Sequence, residues 1–185
     1  MKIIFTGYGK GKTSAAAGIA FRSWGHGRRV LVVLFLKDQR VSGEWKATQQ
    51  INSPRLVVKS FGRPCPYLGQ PCCPGQQECI VSPGQWNSAD EEQAIQGLNF
   101  VQQEIKSGQW NLIVADEILN LWSIWPPSQP VIKEILGEAP AEVDLIFTGR
   151  SRIPELEQAA DLVTNMEMVK HPFTMGITAK KGIDY

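Results

Sequence analysis

The chain has 185 residues, a length typical of one domain with a full hydrophobic core, and we expect a single domain over 1–185. Its 19 Lys and Arg residues against 18 Asp and Glu residues leave a net charge of +1, which argues against nucleic acid as the main partner. No stretch approaches the ~20 apolar residues of a membrane span and the first residues do not form a signal peptide, so we expect a cytoplasmic protein.

A glycine-rich motif follows the first predicted strand, at 3–5, and precedes a predicted helix that runs to residue 22. It has three residues between Gly7 and its Gly-Lys-Thr end, one fewer than the usual phosphate-binding loop. Glycines let successive backbone N–H groups converge on phosphate oxygens, while Lys12 supplies charge and Thr13 a hydroxyl for Mg²⁺. The positive end of the helix dipole adds to the attraction. A plain glycine-rich turn is the alternative, but strand, glycines, Lys-Thr and helix occur here in the required order.

The rest of the chain alternates predicted strands and helices. The run at 30–36 is apolar throughout, as in a strand buried on both faces, and 56–61 is a third strand. Apolar residues at helical spacing predict an amphipathic helix over 88–107. The later predicted elements are strand 112–117, helix 132–136, strand 144–147, helix 155–160, strand 162–169 and an irregular tail, 170–185. This order predicts an α/β class, a three-layer P-loop (RecA-like) fold with a mainly parallel sheet covered by helices on both faces.

An acidic pair, Asp116 and Glu117, ends the predicted strand at 112–117. Carboxylates at the carboxyl end of a strand can reach a metal ion held by the hydroxyl of Thr13. Alone, such a pair is more often a solvated turn. Together with the loop it predicts a Mg²⁺–nucleotide site with Thr13, Asp116 and Glu117 as metal ligands.

Several motifs together resemble the P-loop type of ATP:corrinoid adenosyltransferases, which make adenosylcobalamin, and the resemblance runs through nearly the whole chain. The matching segments are Gly7-Tyr8-Gly9-Lys10-Gly11-Lys12-Thr13, Gly25-His26-Gly27-Arg28-Arg29-Val30, Phe35-Leu36-Lys37, Asp116-Glu117-Ile118, Thr148-Gly149-Arg150, Ala160-Asp161-Leu162-Val163-Thr164, Val169-Lys170-His171-Pro172, Gly176-Ile177 and Lys181-Gly182-Ile183. The resemblance implies transfer of the 5′-deoxyadenosyl group from ATP to the Co(I) of a corrinoid, with triphosphate as the leaving group. Two alternatives stay open: a P-loop ATPase or kinase, and a non-catalytic corrinoid- or nucleotide-binding protein.

The resemblance also implies roles for individual residues. Lys12, Thr13 and Glu117 are the predicted catalytic residues. The predicted binding residues are Gly7, Tyr8, Gly9, Lys10, Gly11, Lys12, Thr13, Ser14, Arg22, Arg150 and Trp86. Arg22 and Arg150 would clamp the triphosphate, with an ordinary surface arginine as the alternative. Trp86 would help remove the lower axial ligand of cobalt, with plain packing as the alternative. An electron donor such as a flavoprotein and a homodimer are the implied partners.

A Cys/Pro/Gly-rich insertion at 62–87 contains every cysteine of the chain: Cys65, Cys72, Cys73 and Cys79. In a reducing compartment such a cluster is more often metal-binding or redox-active than a disulfide staple. The spacing matches neither a zinc ribbon nor a common ferredoxin pattern. Structural zinc or an iron–sulfur centre, disulfides, and free thiols therefore all stay open.

Overall fold

The structure is a computed structural model that describes residues 1–65, 81, 83–177 and 180–183. Its strands and helices are β1 (Lys2–Thr6), α1 (Lys12–Gly25), β2 (Val30–Phe35), α2 (Gly43–Ile51), β3 (Leu56–Phe61), α3 (Ser88–Lys106), β4 (Leu112–Asp116), α4 (Ile118–Ile124), α5 (Gln129–Glu138), β5 (Asp144–Thr148), α6 (Pro154–Ala159) and β6 (Leu162–Asn165). Short 3₁₀ turns occupy Gln39–Val41, Pro83–Gln85, Pro126–Ser128 and Pro172–Met175. Within these described ranges no helix combines the length and the hydrophobicity needed to span a lipid bilayer.

The six strands of the described residues form one sheet in the order β3-β2-β4-β5-β1-β6, and every neighbouring pair is parallel. The predicted parallel sheet is confirmed. Because β1, β5 and β4 are neighbours, the loop after β1, Thr148 at the end of β5 and Asp116 at the end of β4 come to the same edge. That edge is where α/β sheets bind their ligands.

The hydrophobic core lies in two layers, one on each face of the sheet. Along β2, Leu31, Val33 and Phe35 pack with α3, α4 and α5, while Val30, Val32 and Leu34 pack with α1. All six side chains are buried, which explains why this strand is apolar without alternation. The three-layer arrangement predicted from the sequence is confirmed.

Three predicted strands are too long, and two helices were not predicted. The predicted strand 112–117 exceeds β4 by one residue, because β4 ends at Asp116. β2 ends at Phe35 because Leu36 turns the backbone into the left-handed region, with φ 63°. β6 ends at Asn165, not at 169, because its neighbour β1 ends at Thr6 and offers no further ladder. The missed helices are α2, which is largely polar, and α4, which begins directly after Asp116-Glu117.

The cysteine-rich insertion is described only at its ends. Cys72, Cys73 and Cys79 lie outside the described residues, so the hypotheses about the four-cysteine cluster stay predictions. Cys65 is buried, and its backbone N–H donates to Oδ2 of Asp38 at 2.9 Å. Asp38 also accepts from the guanidinium of Arg40, with Nη2 at 2.6 Å from Oδ2. The hydrogen bonds of Asp38 therefore hold the first residues of the insertion beside the end of β2.

Gly97 on α3 tests the packing of that helix on the sheet. A Cβ added there would lie 2.7 Å from Cε1 of Phe35 and 2.9 Å from Cβ of Phe61, so Gly97→Ala should lower the free energy of unfolding by about 1–3 kcal/mol. Gly18→Ala on α1 is the matched control, because its Cβ would meet open space and should raise stability by about 0.5–1 kcal/mol. Denaturant unfolding followed by circular dichroism measures both. Equal effects of the two changes would contradict the packing described here.

Asp38 predicts a pH-dependent contribution to stability. Burial opposes ionisation of Asp38, but hydrogen bonds from Arg40 and from the Cys65 N–H outweigh it and lower the pKa to about 2. A carboxyl group whose pKa is lower in the folded state stabilises the fold at pH values above its unfolded pKa of about 3.9. This stabilisation is lost as the pH falls through the pKa of the folded state. Asp38→Asn should therefore cost about 2 kcal/mol at pH 7, and the difference from wild type should shrink between about pH 4 and pH 2. Unfolding free energies measured across this range, with Glu155→Gln as an exposed control, check it. A difference that does not change with pH would contradict the assignment.

Candidate active site

The phosphate-binding loop joins β1 to α1 and folds around the ammonium group of Lys12. Gly7 and Gly11 have φ values of 103° and 110°, which side chains disfavour. Lys12 Nζ donates to the carbonyl oxygens of Gly7 at 2.6 Å and Gly9 at 2.7 Å. Burial lowers the pKa of Lys12, and the nearby Glu117 carboxylate partly offsets this. The side-chain nitrogen of Lys12 therefore lies at the centre of the loop.

The segment that follows β6 packs directly against the loop. The backbone N–H of Gly9 donates to the carbonyl oxygen of Met166 at 2.7 Å. A Cβ on Gly7 would collide with that same oxygen, and a Cβ on Gly9 would lie 2.7 Å from the carbonyl oxygen of Glu167. Both glycines are thus required by close contact with another part of the backbone, in addition to any need to approach a phosphate.

Asp116 is the centre of the polar network at this edge of the sheet. Its side chain is 1% exposed. Oδ1 accepts from the hydroxyls of Thr13 at 2.9 Å and Thr148 at 2.6 Å, and Oδ2 lies 2.5 Å from Nζ of Lys37. Burial alone would lower the pKa of Lys37, but the charges of Asp116 and Glu117 raise it above its usual value. A buried carboxylate is stabilised here by two hydroxyls and an ammonium.

Glu117 lies at the junction between β4 and α4. Its φ of 65° turns the chain from the strand into the helix. Its backbone N–H donates to the hydroxyl of Thr148 at 2.9 Å, and its carboxylate accepts from the side-chain amide of Asn120. Burial raises the pKa of Glu117, and the negative charge of Asp116 raises it further.

The residues predicted to bind Mg²⁺ have suitable chemistry for that ion. The Thr13 hydroxyl already contacts Asp116, and Glu117 adds a second carboxylate beside it. Mg²⁺ in nucleotide sites commonly uses one or two carboxylates together with phosphate oxygens and water. Among the residues that the structure describes, no group of three or more His, Cys, Asp or Glu side chains is placed to hold a metal ion, so neither zinc nor an iron–sulfur centre has support there.

The other predicted binding residues occupy different environments. Tyr8, 74% exposed, Lys10 and Ser14 lie on the outer surface of the loop and the start of α1. Arg150 follows β5, and its charge affects the pKa values of both Lys12 and Glu117. Arg22 is exposed on α1, about 15 Å along the helix axis from Lys12, so this structure does not bring it to the loop.

Trp86 lies before α3 and stacks on Trp125, with ring centroids 6.0 Å apart and planes inclined by 24°. It packs against the larger hydrophobic cluster. Within the described part of the chain, its buried indole N–H has no hydrogen-bond partner. In this conformation Trp86 makes the contacts of a packing residue, which is the alternative to a role at cobalt.

An apolar cavity of about 190 Å³ lies between α1, α2 and the sheet. Thr13 and Asp116 are among its lining residues, and the rest of the lining is mostly aliphatic, including Ala16, Val58 and Val114. Pockets for whole small-molecule ligands usually measure about 300–1,000 Å³. The cavity is therefore too small for a complete nucleotide.

Sequence reasoning gave no functional role to three residues that complete the network, Lys37, Thr148 and Asn120, although Lys37 and Thr148 lie in segments that resemble the family. Lys37 and Thr148 come at or just after the carboxyl ends of β2 and β5, and polar residues at that edge of a parallel sheet are a usable signal. Asn120 lies inside α4, a helix that was not predicted, and its sequence position alone gives no such signal.

Comparison with known proteins identifies relatives of this chain at about 30% sequence identity. All residues, 1–185, match a family model described as "ATP:corrinoid adenosyltransferase BtuR/CobO/CobP". A corrinoid adenosyltransferase of Sinorhizobium sp. is 31% identical over 99% of this chain and 79% of its own length. The corrinoid adenosyltransferase of Escherichia coli K12 and the corrinoid adenosyltransferase CobA of Salmonella typhimurium are each 30% identical, over 99% of this chain and 84% of their own lengths.

Among solved structures, the ATPase EscN of the enteropathogenic E. coli type III secretion system superposes with a TM-score of 0.52 at 14% sequence identity. The superposition covers 89% of this chain and 42% of the ATPase chain. At this identity the likeness concerns the fold alone, and it agrees with the predicted RecA-like arrangement.

Lys37 should stabilise the protein through Asp116. Lys37→Met leaves the buried carboxylate without its counterion and should lower the free energy of unfolding by about 3 kcal/mol. Lys37→Met combined with Asp116→Asn should cost less than the sum of the single changes, because the two groups interact directly. Lys59→Met, on an exposed position of β3, is the control and should stay within about 0.5 kcal/mol of wild type. Strict additivity in denaturant unfolding would show that the pair is not coupled.

Proposed function

We propose that this chain, which belongs to the ATP:corrinoid adenosyltransferase family BtuR/CobO/CobP, transfers the 5′-deoxyadenosyl group of ATP to the cobalt of a Co(I) corrinoid. The reaction would serve adenosylcobalamin synthesis or salvage. The observation on which this rests is the contact between the Thr13 hydroxyl and Asp116 at the mouth of a phosphate-binding loop, in a chain matched by the family along its whole length. Cob(I)alamin is the specific acceptor that we propose.

The proposed reaction attacks carbon, not phosphorus. The electron pair of Co(I) forms the bond to C5′ of ATP, the bond between C5′ and its phosphate oxygen breaks, and that electron pair leaves on triphosphate. Cobalt is thereby oxidised to Co(III). Because cobalt is the nucleophile, the protein needs no nucleophilic Ser, Cys or His, and its task is to position the two substrates and exclude water.

In this proposal the loop binds the triphosphate as a leaving group. Of the loop's backbone N–H groups, from Gly7 to Thr13, those of Gly7 and Gly9 donate to Arg150 and Met166 in this structure. The remaining N–H groups and the ammonium group of Lys12 would stabilise the charge that develops there. Lys12 donates to carbonyl oxygens of its own loop in this structure, so its ammonium already lies at the loop centre. Lys10 and Arg150 would add positive charge from the loop surface and from the end of β5. Arg22, exposed further along α1, is kept as a more distant clamp.

Thr13, Asp116 and Glu117 would hold Mg²⁺ in the proposed site. When bound, the ion supplies positive charge that neutralises part of the triphosphate. The support is the oxygen chemistry of the three side chains and their shared position at the carboxyl edge of the sheet. Lys37 and Thr148 would hold the Asp116 carboxylate in one orientation.

Four further parts of the proposal rest on the sequence and on family resemblance. Trp86 would act on the lower face of the corrinoid, which requires it to leave its stacked position against Trp125. The electron donor would be a flavoprotein, the enzyme would act as a homodimer, and the reaction would take place in the cytoplasm.

The direct test is anaerobic incubation of the protein with MgATP and chemically reduced cobalamin. Loss of the Co(I) absorption, appearance of adenosylcobalamin and release of triphosphate are expected together. Release of ADP or orthophosphate without an adenosylated product would indicate the alternative, a P-loop ATPase or kinase. Tight binding of either substrate without any product would indicate a binding protein.

Lys12→Ala should reduce the rate of adenosyl transfer by about 10²–10³, because it removes the charge that meets the leaving triphosphate. Initial rates of Co(I) loss measure the effect. Lys106→Ala, an exposed change on the last turn of α3, is the matched control and should keep the wild-type rate. Full activity in Lys12→Ala would be incompatible with this assignment of the loop.

A further inference from the structure

The side chain of Asn120 lies between two residues of the proposed site, Glu117 and Arg150. Its amide nitrogen donates to Oε2 of Glu117, and its amide oxygen accepts from the backbone N–H of Arg150 at 2.7 Å. Only the nitrogen can donate to a carboxylate and only the oxygen can accept from an N–H, so the two bonds together fix the orientation of the amide. Asn120 is half-buried, which limits competition from water.

The turn after β5 is packed tightly onto α4 at this point. A Cβ on Gly149 would lie 2.5 Å from Cβ of Leu119 and 2.9 Å from the backbone nitrogen of Asn120. The absence of a side chain at Gly149 therefore lets the peptide of Arg150 come within hydrogen-bonding distance of Asn120. The contact is built into the backbone and does not depend on a flexible surface side chain.

The same peptide segment reaches the phosphate-binding loop on its other side. The carbonyl oxygen of Arg150 accepts from the backbone N–H of Gly7 at 3.2 Å, while the hydroxyl of Thr6 donates to the next carbonyl oxygen, that of Ser151, at 2.9 Å. Asn120 is thus connected to Glu117 directly and to the start of the loop through one residue, Arg150.

We propose that Asn120 is a positioning residue that holds the Glu117 carboxylate in register with the phosphate-binding loop. The inference rests on the proposed function for the role of Glu117 at the Mg²⁺–nucleotide site. Because Asn120 binds Oε2 of Glu117, the proposal assigns the other oxygen, Oε1, to that site. Loss of a side chain that orients a metal-binding residue typically costs about 10- to 100-fold in metal affinity or activity.

The test compares two Asn→Asp substitutions that are chemically identical. Asn120→Asp keeps an acceptor for the Arg150 N–H, removes the donor to Glu117 and places a second negative charge beside it. Asn111→Asp is the matched control, because Oδ1 of Asn111 also accepts from a backbone N–H, that of Arg29 at 2.9 Å, at the opposite edge of the sheet. Asn120→Ala removes both hydrogen bonds without adding charge and serves if Asn120→Asp does not fold.

Four quantities are measured for each folded variant: kcat and KM for adenosyl transfer, the affinity for Mn²⁺ in the presence of ATP by electron paramagnetic resonance, and the thermal midpoint. We expect Asn120→Asp to lower both kcat and the Mn²⁺ affinity by about 10- to 100-fold. The KM for the corrinoid should stay unchanged, and Asn111→Asp should match wild type. In a Glu117→Gln background, Asn120→Asp should cause little further loss, since its effect acts through Glu117.

The proposal is overturned if Asn120→Asp has wild-type kcat and Mn²⁺ affinity, or if Asn111→Asp loses as much. It is also overturned if the thermal midpoint falls while kcat per folded molecule stays constant, because that is the result of a purely structural role. Failure of the proposed function gives a different result: the wild-type protein then forms no adenosylated product. The Mn²⁺ measurement still decides the role of Asn120 in that case.

Discussion

The buried carboxylate of Asp116 is the constraint on which the arrangement of this site depends. An ionised carboxylate out of contact with water costs several kcal/mol unless donors replace its hydration. The three donors come from the start of α1, the second residue after β2 and the end of β5, which are 103, 79 and 32 residues away in the chain. Because one carboxylate needs all three, it fixes the relative positions of the phosphate-binding loop and two strand ends. The same interactions place Glu117, the next residue, beside Lys12.

Local signals in the sequence were enough to predict most of the fold. β3 was predicted with its observed bounds, and the continuous apolar run of β2 identified a strand buried on both faces. The residue pattern failed to predict the ends of β2 and β6, because contacts with other parts of the chain determine the backbone conformation there. Leu36 leaves the strand through a left-handed conformation that its residue type disfavours, and 166–169 lose strand geometry because β1 has already ended. The polar helix α2 carries too weak an apolar pattern to be recognised from spacing.

The sequence predicted the motif residues of the candidate site but not the residues that support them. Thr13, Asp116 and Glu117 follow from a loop, a strand end and their known chemistry, and the structure brings them together. Lys37 and Asn120 act through partners that only the folded chain places next to them. The fold itself does not separate the candidate functions, since a secretion ATPase shares it at 14% identity. Family membership comes from the sequence along the whole chain.

The contact between the loop and the backbone at 166–167 links the first strand of the sheet to its last. Gly7 and Gly9 face carbonyl oxygens of Met166 and Glu167 across distances that leave no room for a side chain. An extra residue between Gly7 and Gly11 could not be accommodated on that side and would have to rise toward solvent, or β6 would have to shift. The length of the loop and the path of the chain after β6 are therefore one coupled feature of this protein. Transplanting a loop of the usual length into this scaffold would also require redesigning the chain after β6.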